Sequence, residues 1–142
     1  MEGKELMPNP PKKFYAPVPP ETERIGKLVL DAAYKVHTTL GPGLLESVYR
    51  KAMRHVLVTG GTLAETEVDL PITFEGIELE SGLRIDLLVE KCVIAELKSV
   101  EKMNPVYEVQ LITYLRLSKV RLGFLINFNV SHLKAGIKRI VV

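Results

Sequence analysis

Three charged residues near the middle of the chain, Asp86, Glu96 and Lys98, have the types and spacing that hydrolysis of a phosphate ester requires. They lie in two apolar segments, residues 83–89 and 93–98, which we interpret as neighbouring antiparallel strands. Strand side chains alternate strictly and the apolar ones must face one core, so the three charged side chains share the opposite face. With a three-residue loop, Asp86 lies directly across from Glu96, at a Cβ separation of about 5 Å.

Two carboxylates held this close repel each other unless one is protonated or a cation lies between them. Hard oxygen ligands favour Mg²⁺ or Mn²⁺, and Mg²⁺ commonly keeps waters and substrate phosphates as its other ligands. Lys98 could orient or deprotonate a water and offset the charge that develops on the phosphate. The alternative is an edge hairpin in which both acids are solvated and Lys98 is a salt-bridge partner. The spacing alone leaves both interpretations open.

The spacing of apolar residues predicts the elements that must position this site. A helical period predicts amphipathic helices over residues 21–39 and 44–58, separated by a Gly-Pro-Gly turn. A period of two then predicts a meander of three or four strands over residues 68–97. A further helix and two closing strands follow, over residues 105–117, 121–128 and 137–142. The order ααβββαββ predicts an α/β (α+β) domain around one sheet.

Length and composition limit the other possibilities. The chain has 142 residues, of which 46% are hydrophobic and 25% charged. This length and composition predict one globular domain over residues 21–142. Residues 1–20 hold six of the nine prolines and predict an extended N-terminal arm. The single cysteine, Cys92, excludes a disulfide framework and favours a reducing compartment, so we expect a cytoplasmic protein. We expect no membrane span and no secretory signal, because the chain lacks a sufficiently long apolar run.

The net charge of +2 does not by itself indicate a protein that binds nucleic acid. The charge is unevenly distributed, however: residues 65–96 hold nine acidic and two basic residues, whereas residues 98–142 hold eight basic and two acidic ones. A bound cation would offset the acidic stretch. The basic stretch could follow a phosphate backbone if the fold gathers four of its side chains on one side, namely Lys102, Arg116, Lys119 and Arg121.

Several short motifs are recognisable together: residues 43–49 (GLLESVY), Arg84-Ile85-Asp86 and Ala95-Glu96-Leu97-Lys98. This set resembles the GxxExxY protein family, a branch of the PD-(D/E)XK nuclease superfamily. The resemblance extends from about Glu21 to the C-terminus, because three further segments share it, residues 36–43, 110–115 and 123–128. It implies a restriction-endonuclease-like core, in which helices flank a central mixed sheet with an antiparallel meander and the metal site lies on the second and third core strands.

The resemblance also implies roles for individual residues in that metal site. Asp86 and Glu96 match the metal-binding acids of the superfamily, with the main-chain carbonyl of Leu97 as a further ligand of Mg²⁺ or Mn²⁺. Lys98 matches the superfamily lysine. Glu46 matches an acid that the superfamily often supplies from its first core helix; the alternative is a carboxylate that merely stabilises the helix N-terminus.

Gln110 and Tyr114 resemble the Q-x3-Y element of recombination-type nuclease branches. At positions i and i+4 they share one helix face, from which an amide and a phenol could steady Lys98 or contact a phosphate. The alternative is a buried helix with two satisfied polar groups.

These observations favour a metal-dependent nuclease, with DNA preferred over RNA on the basis of the resemblance. The alternative is a catalytically silent nucleic-acid-binding or assembly module that keeps the nuclease scaffold, which the modest net charge would suit. The retained acids argue against this alternative, because without a metal they would repel phosphate. A homodimer formed through the apolar C-terminal strands is a further possibility.

Overall fold

The computed structural model describes residues 16–142 and contains three α-helices and seven strands in that range. Most of the predicted arm therefore lies outside the described residues, and the first helix begins at Pro20. The helices are α1 (Pro20–Leu40), α2 (Glu46–Thr59) and α3 (Val106–Ser118). The strands are β1 (Ala64–Asp69), β2 (Ile72–Phe74), β3 (Ile77–Leu79), β4 (Arg84–Val89), β5 (Val93–Lys98), β6 (Leu122–Asn127) and β7 (Ile137–Val141).

Five of the strands form one mixed sheet in the order β1-β4-β5-β6-β7. All neighbouring strands are antiparallel except β5 and β6, which are parallel and connected through α3. Parallel neighbours need such a crossover because a tight turn cannot return the chain to the same end of the sheet. The α/β (α+β) fold class is thereby confirmed, with the architecture of a restriction-endonuclease-like core.

Helices cover both faces of the sheet. On one face, α1 and α2 pack against a core that includes Leu87, Ala95 and Phe124. On the other, α3 packs against a core that includes Ile94 and Leu125. Because both faces are covered, β6 is buried along its whole length, and its sequence is apolar up to its last residue, Asn127. Within the described range, no helix is both long and apolar enough to cross a membrane.

A small hairpin of β2 and β3 stands apart from the main sheet and interrupts the predicted meander. The ladder of β1 and β4 ends where the Leu70 N–H donates to the Leu83 carbonyl, at 3.0 Å. Pro71 follows and has no N–H to continue it. In the hairpin, Phe74 pairs with Ile77, and their side chains are 60% and 61% exposed on its apolar face.

The turn between α1 and α2 is fixed by Tyr49. Its buried hydroxyl donates to the Gly41 carbonyl at 2.6 Å and accepts the Leu44 N–H at 3.2 Å. Its ring stacks on Phe128 with centroids 4.3 Å apart. These contacts set where α2 begins, and therefore where its first residue, Glu46, is placed.

Candidate functional site

The hairpin of β4 and β5 brings two carboxyl groups together. Glu90 and Lys91 form its turn with φ values of 49° and 57°. The pairing Leu87 with Ala95 continues in the same register to place Asp86 opposite Glu96, as the alternation predicts. The regular backbone ladder ends at this point, and the side chains take over the hydrogen bonding between the strands.

Each carboxyl group accepts a backbone hydrogen bond from the opposite strand. The Asp86 N–H donates to Oε1 of Glu96 at 3.2 Å, and the Leu97 N–H donates to Oδ2 of Asp86 at 2.9 Å. The crossed bonds hold both side chains between the two strands. The acid pair, Asp86 and Glu96, is therefore part of the sheet and not a pair of solvated surface groups.

Glu96 is only 6% exposed. Burial raises its pKa to about 9, and the negative charge of Asp86 contributes to the rise. In the metal-free protein, burial therefore favours the protonated form of the Glu96 carboxyl at neutral pH. A proton here has the electrostatic role that a bound cation would have.

The Leu97 carbonyl points toward the same gap. The carbonyl of the next residue, Lys98, accepts the Phe128 N–H at 2.9 Å and so points toward β6. Successive peptide groups of a strand point to opposite neighbours, and the Leu97 N–H already points toward β4. The Leu97 carbonyl oxygen is therefore directed to the β4 side, where the acid pair lies.

Lys98 lies over an aromatic ring. Its Nζ is 4.3 Å from the ring centroid of Tyr107, in the first turn of α3. Among residues 16–142, no carboxylate lies within salt-bridge distance of this ammonium group, although Glu96 is two residues away on the same strand face. The predicted salt-bridge alternative for Lys98 is therefore not what the structure shows.

One stripe of α3 faces this end of the sheet. Tyr107, Gln110 and Tyr114 follow the i, i+3, i+7 spacing of a single helix face. Burial raises the pKa of Tyr114, and the charges of Glu96 and Asp86 add to the rise, which places its phenol beside the acid pair. Gln110 is exposed between the two tyrosines, so the buried-helix alternative holds for Tyr114 alone.

Tyr107 is the site residue that the sequence analysis missed. The signal that could have identified it is its spacing, because it precedes Gln110 and Tyr114 on the same helix stripe. Ser99 was also missed: its hydroxyl donates to the Leu44 carbonyl at 2.5 Å and ties the end of β5 to the segment before α2. No feature of the sequence marks that contact.

Glu46 begins α2 two residues after Leu44, whose carbonyl accepts the hydrogen bond from Ser99, and so lies at the same end of the sheet as the acid pair. One turn later on the same helix face, Arg50 reaches Glu67 of β1 at 3.3 Å. By the register of β1 and β4, Glu67 lies opposite Asp86. Within residues 16–142, however, no three His, Cys, Asp or Glu side chains lie close enough together to hold a metal. The structure thus places Glu46 at the same end of the sheet as the acid pair, without a cluster of three carboxylates.

A sequence profile of the PD-(D/E)XK nuclease superfamily matches residues 23–140, which is most of the chain. The chain belongs to the PD-(D/E)XK nuclease superfamily. No curated protein and no solved structure matches the chain. The match is made at the level of the superfamily, so membership of the narrower GxxExxY branch stays a prediction.

Superfamily nucleases generally use divalent metals, and the donors in this member fit such an ion. The acid pair and the Leu97 carbonyl offer three hard oxygen donors from two adjacent strands. Mg²⁺ typically takes one or two protein carboxylates and leaves other positions to water and phosphate, and Mn²⁺ accepts the same ligands. The donor set therefore suits either ion without a third carboxylate.

The four basic residues that would form a basic face if the fold gathered them do not converge. Lys102 precedes α3, whereas the others lie at the far end of that 13-residue helix, about 20 Å away. Those others are Arg116, Lys119 and Arg121. The guanidinium of Arg121 moreover donates to the carbonyls of Ala16 and Val142, each at 2.5 Å. The condition for one continuous basic face is therefore not met.

Proposed function

We propose that this superfamily member is a divalent-metal-dependent nuclease that hydrolyses phosphodiester bonds. The observation that carries the proposal is the pair of crossed hydrogen bonds that holds the Asp86 and Glu96 carboxyl groups between the two strands, with Lys98 on the same strand face and in no salt bridge with either. An acid pair in which one member is buried has no evident structural use, since two apolar residues would fill the same space at lower cost. A site for a cation explains why the pair is there.

In this proposal, Asp86, Glu96 and the Leu97 carbonyl hold Mg²⁺ or Mn²⁺. The ion would supply positive charge that neutralises the scissile phosphate and favours attack by water. The sheet contributes rigidity, because the crossed hydrogen bonds keep the carboxyl oxygens in place before a substrate arrives. Glu46 would assist through the ion's outer ligands, since it begins α2 at the same end of the sheet.

Lys98 would orient the attacking water and offset the negative charge that grows on the phosphate oxygens. In the reaction, the water oxygen forms a bond to phosphorus, the bond from phosphorus to the leaving oxygen breaks, and the leaving oxygen takes up a proton. Gln110 is exposed on α3 and would donate an amide hydrogen bond to a phosphate. Tyr114 would steady the acid pair from the same helix.

The finer assignments rest on resemblance. We propose DNA before RNA as the substrate, and the GxxExxY branch as the narrower family. A homodimer is compatible with the sheet, because β7 is an edge strand whose outer backbone groups could pair with a second copy.

Cleavage of labelled single- and double-stranded DNA and RNA, with Mg²⁺, Mn²⁺ or chelator, tests the proposed function. We expect metal-dependent cleavage that Asp86→Ala and Lys98→Ala each reduce by about 100-fold or more. The matched controls are Asp69→Ala and Lys134→Ala, which remove an exposed charge of the same sign elsewhere. Wild-type cleavage no greater than that of the two site variants would contradict the proposal. Salt-dependent binding that is indifferent to chelator and to Asp86→Ala would instead favour the silent binding module.

A further inference from the structure

We propose that Tyr107 is a positioning residue that keeps Lys98 away from the acid pair, so that the cation site stays open. This inference rests on the proposed metal site. Its basis is the position of one ammonium group: Lys98 shares a strand face with two carboxyl groups, yet its Nζ lies 4.3 Å from the Tyr107 ring centroid. The ring thus holds a positive charge that the acids would otherwise attract.

Without the ring, the acid pair is the strongest nearby attraction for this ammonium group. Glu96 is 6% exposed and Asp86 is half-buried, so an ion pair formed there would be less screened than one at the surface. A lysine bound at the acid pair would offset the negative charge of Asp86 and occupy the place of the cation. An aromatic face offers a cation a competing attraction without contributing a formal negative charge.

The backbone around Tyr107 keeps the ring in place. The side chain of Asn104 accepts the Val106 N–H at 3.0 Å, and its carbonyl accepts the Tyr107 N–H at 3.0 Å, so the start of α3 is fixed. One turn further, Leu111 is fully buried against the sheet. Because the helix is anchored on both sides of Tyr107, the backbone that carries the ring has a fixed position relative to the sheet.

Calorimetric titration with Mn²⁺ tests the inference independently of catalysis. Tyr107→Leu keeps an apolar side chain but removes the aromatic face, and we expect it to weaken Mn²⁺ binding by about fivefold. Tyr107→Phe keeps the face and should bind within about twofold of wild type. In a Lys98→Met background, Tyr107→Leu should cause no further change, because the competing ammonium group is gone.

A second substitution tests the inference even if the Tyr107→Leu variant does not fold. A trifluorinated phenylalanine at position 107 keeps the shape of the ring and withdraws charge from its face, so Mn²⁺ binding should weaken relative to Tyr107→Phe. Equal affinities for these two rings, or an equal loss in the Lys98→Met background, would overturn the inference while leaving the metal site intact. If wild-type protein took up no Mn²⁺, the metal site and the inference would both be wrong.

Discussion

At the scale of single residues, the acid pair makes the stability of the folded protein depend on pH. Glu96 is buried against a charged neighbour, and its pKa in the folded protein is about 9, compared with a usual value of 4.5. Folding of the metal-free protein therefore favours the protonated carboxyl. The resulting contribution to stability is complete below the unfolded pKa and is lost as the pH rises through the folded pKa.

We predict that Glu96→Gln removes this dependence. In the presence of a chelator, the stability gained by the variant relative to wild type should grow from pH 5 to pH 9 by about 1 kcal/mol or more, since one pKa unit corresponds to about 1.4 kcal/mol. Urea unfolding at both pH values measures the difference. Glu101→Gln, an exposed substitution of the same kind, is the control. A pH-independent difference for Glu96→Gln would show that the buried carboxyl is not protonated in the folded state.

At the scale of elements, the distance between α3 and the sheet determines whether the aromatic stripe reaches the site. Gly123 on β6 makes close packing possible. A Cβ at this position would lie 3.0 Å from Leu111 and 3.1 Å from Leu115, both of which are buried on α3. Such contacts are tighter than most packed Cβ contacts, so the two leucine side chains, or the helix that carries them, must give by a few tenths of an ångström.

We predict that Gly123→Ala destabilises the protein by about 1–2 kcal/mol, the usual cost of overpacking a core. It should also weaken Mn²⁺ binding, because a displaced α3 carries Tyr107 away from Lys98. Urea unfolding and calorimetry measure the two effects. Gly60→Ala is the matched control, since a Cβ there would find its nearest neighbour at 3.4 Å. Equal stability of the two variants would mean that α3 adjusts at no cost.

At the scale of the whole molecule, binding of the proposed metal ion would be coupled to folding. The two acids and the Leu97 carbonyl come from strands that are adjacent only in the folded sheet. An ion that binds this arrangement and not the unfolded chain stabilises the fold, by about 2.7 kcal/mol at a free concentration 100 times the dissociation constant.

We predict that saturating Mn²⁺ raises the unfolding temperature by several degrees. Asp86→Ala should abolish the increase, and Asp69→Asn, on the neighbouring strand, should retain it. Differential scanning calorimetry with and without the ion gives the comparison. An equal increase for both variants would assign the ion to another part of the molecule.

The sequence predicted the helices, the closing strands and the position of Asp86 across from Glu96, because each follows from local periodicity. That β2 and β3 lie apart from the main sheet was missed, since their alternation continues that of β1 and only Pro71 marks the break. The contact of Tyr107 with Lys98 depends on how α3 crosses the sheet, which local spacing does not determine. Whether the basic residues converge was left open by the sequence, and the length of α3 separates them.

Arg121 holds the first described residues and the C-terminal residue close together, which makes a circular permutation of the chain feasible. Its guanidinium bonds the carbonyls of both Ala16 and Val142, so these two residues lie within one side chain of each other. In a chain shortened by residues 1–15, a short linker could therefore join Val142 to Ala16, and new termini could be opened at the exposed Glu75-Gly76 turn of the small hairpin. We expect this circular permutant to fold and to bind Mn²⁺ with an affinity close to that of the original chain. Loss of folding would show that the covalent link between β2 and β3 is needed to pair β1 with β4.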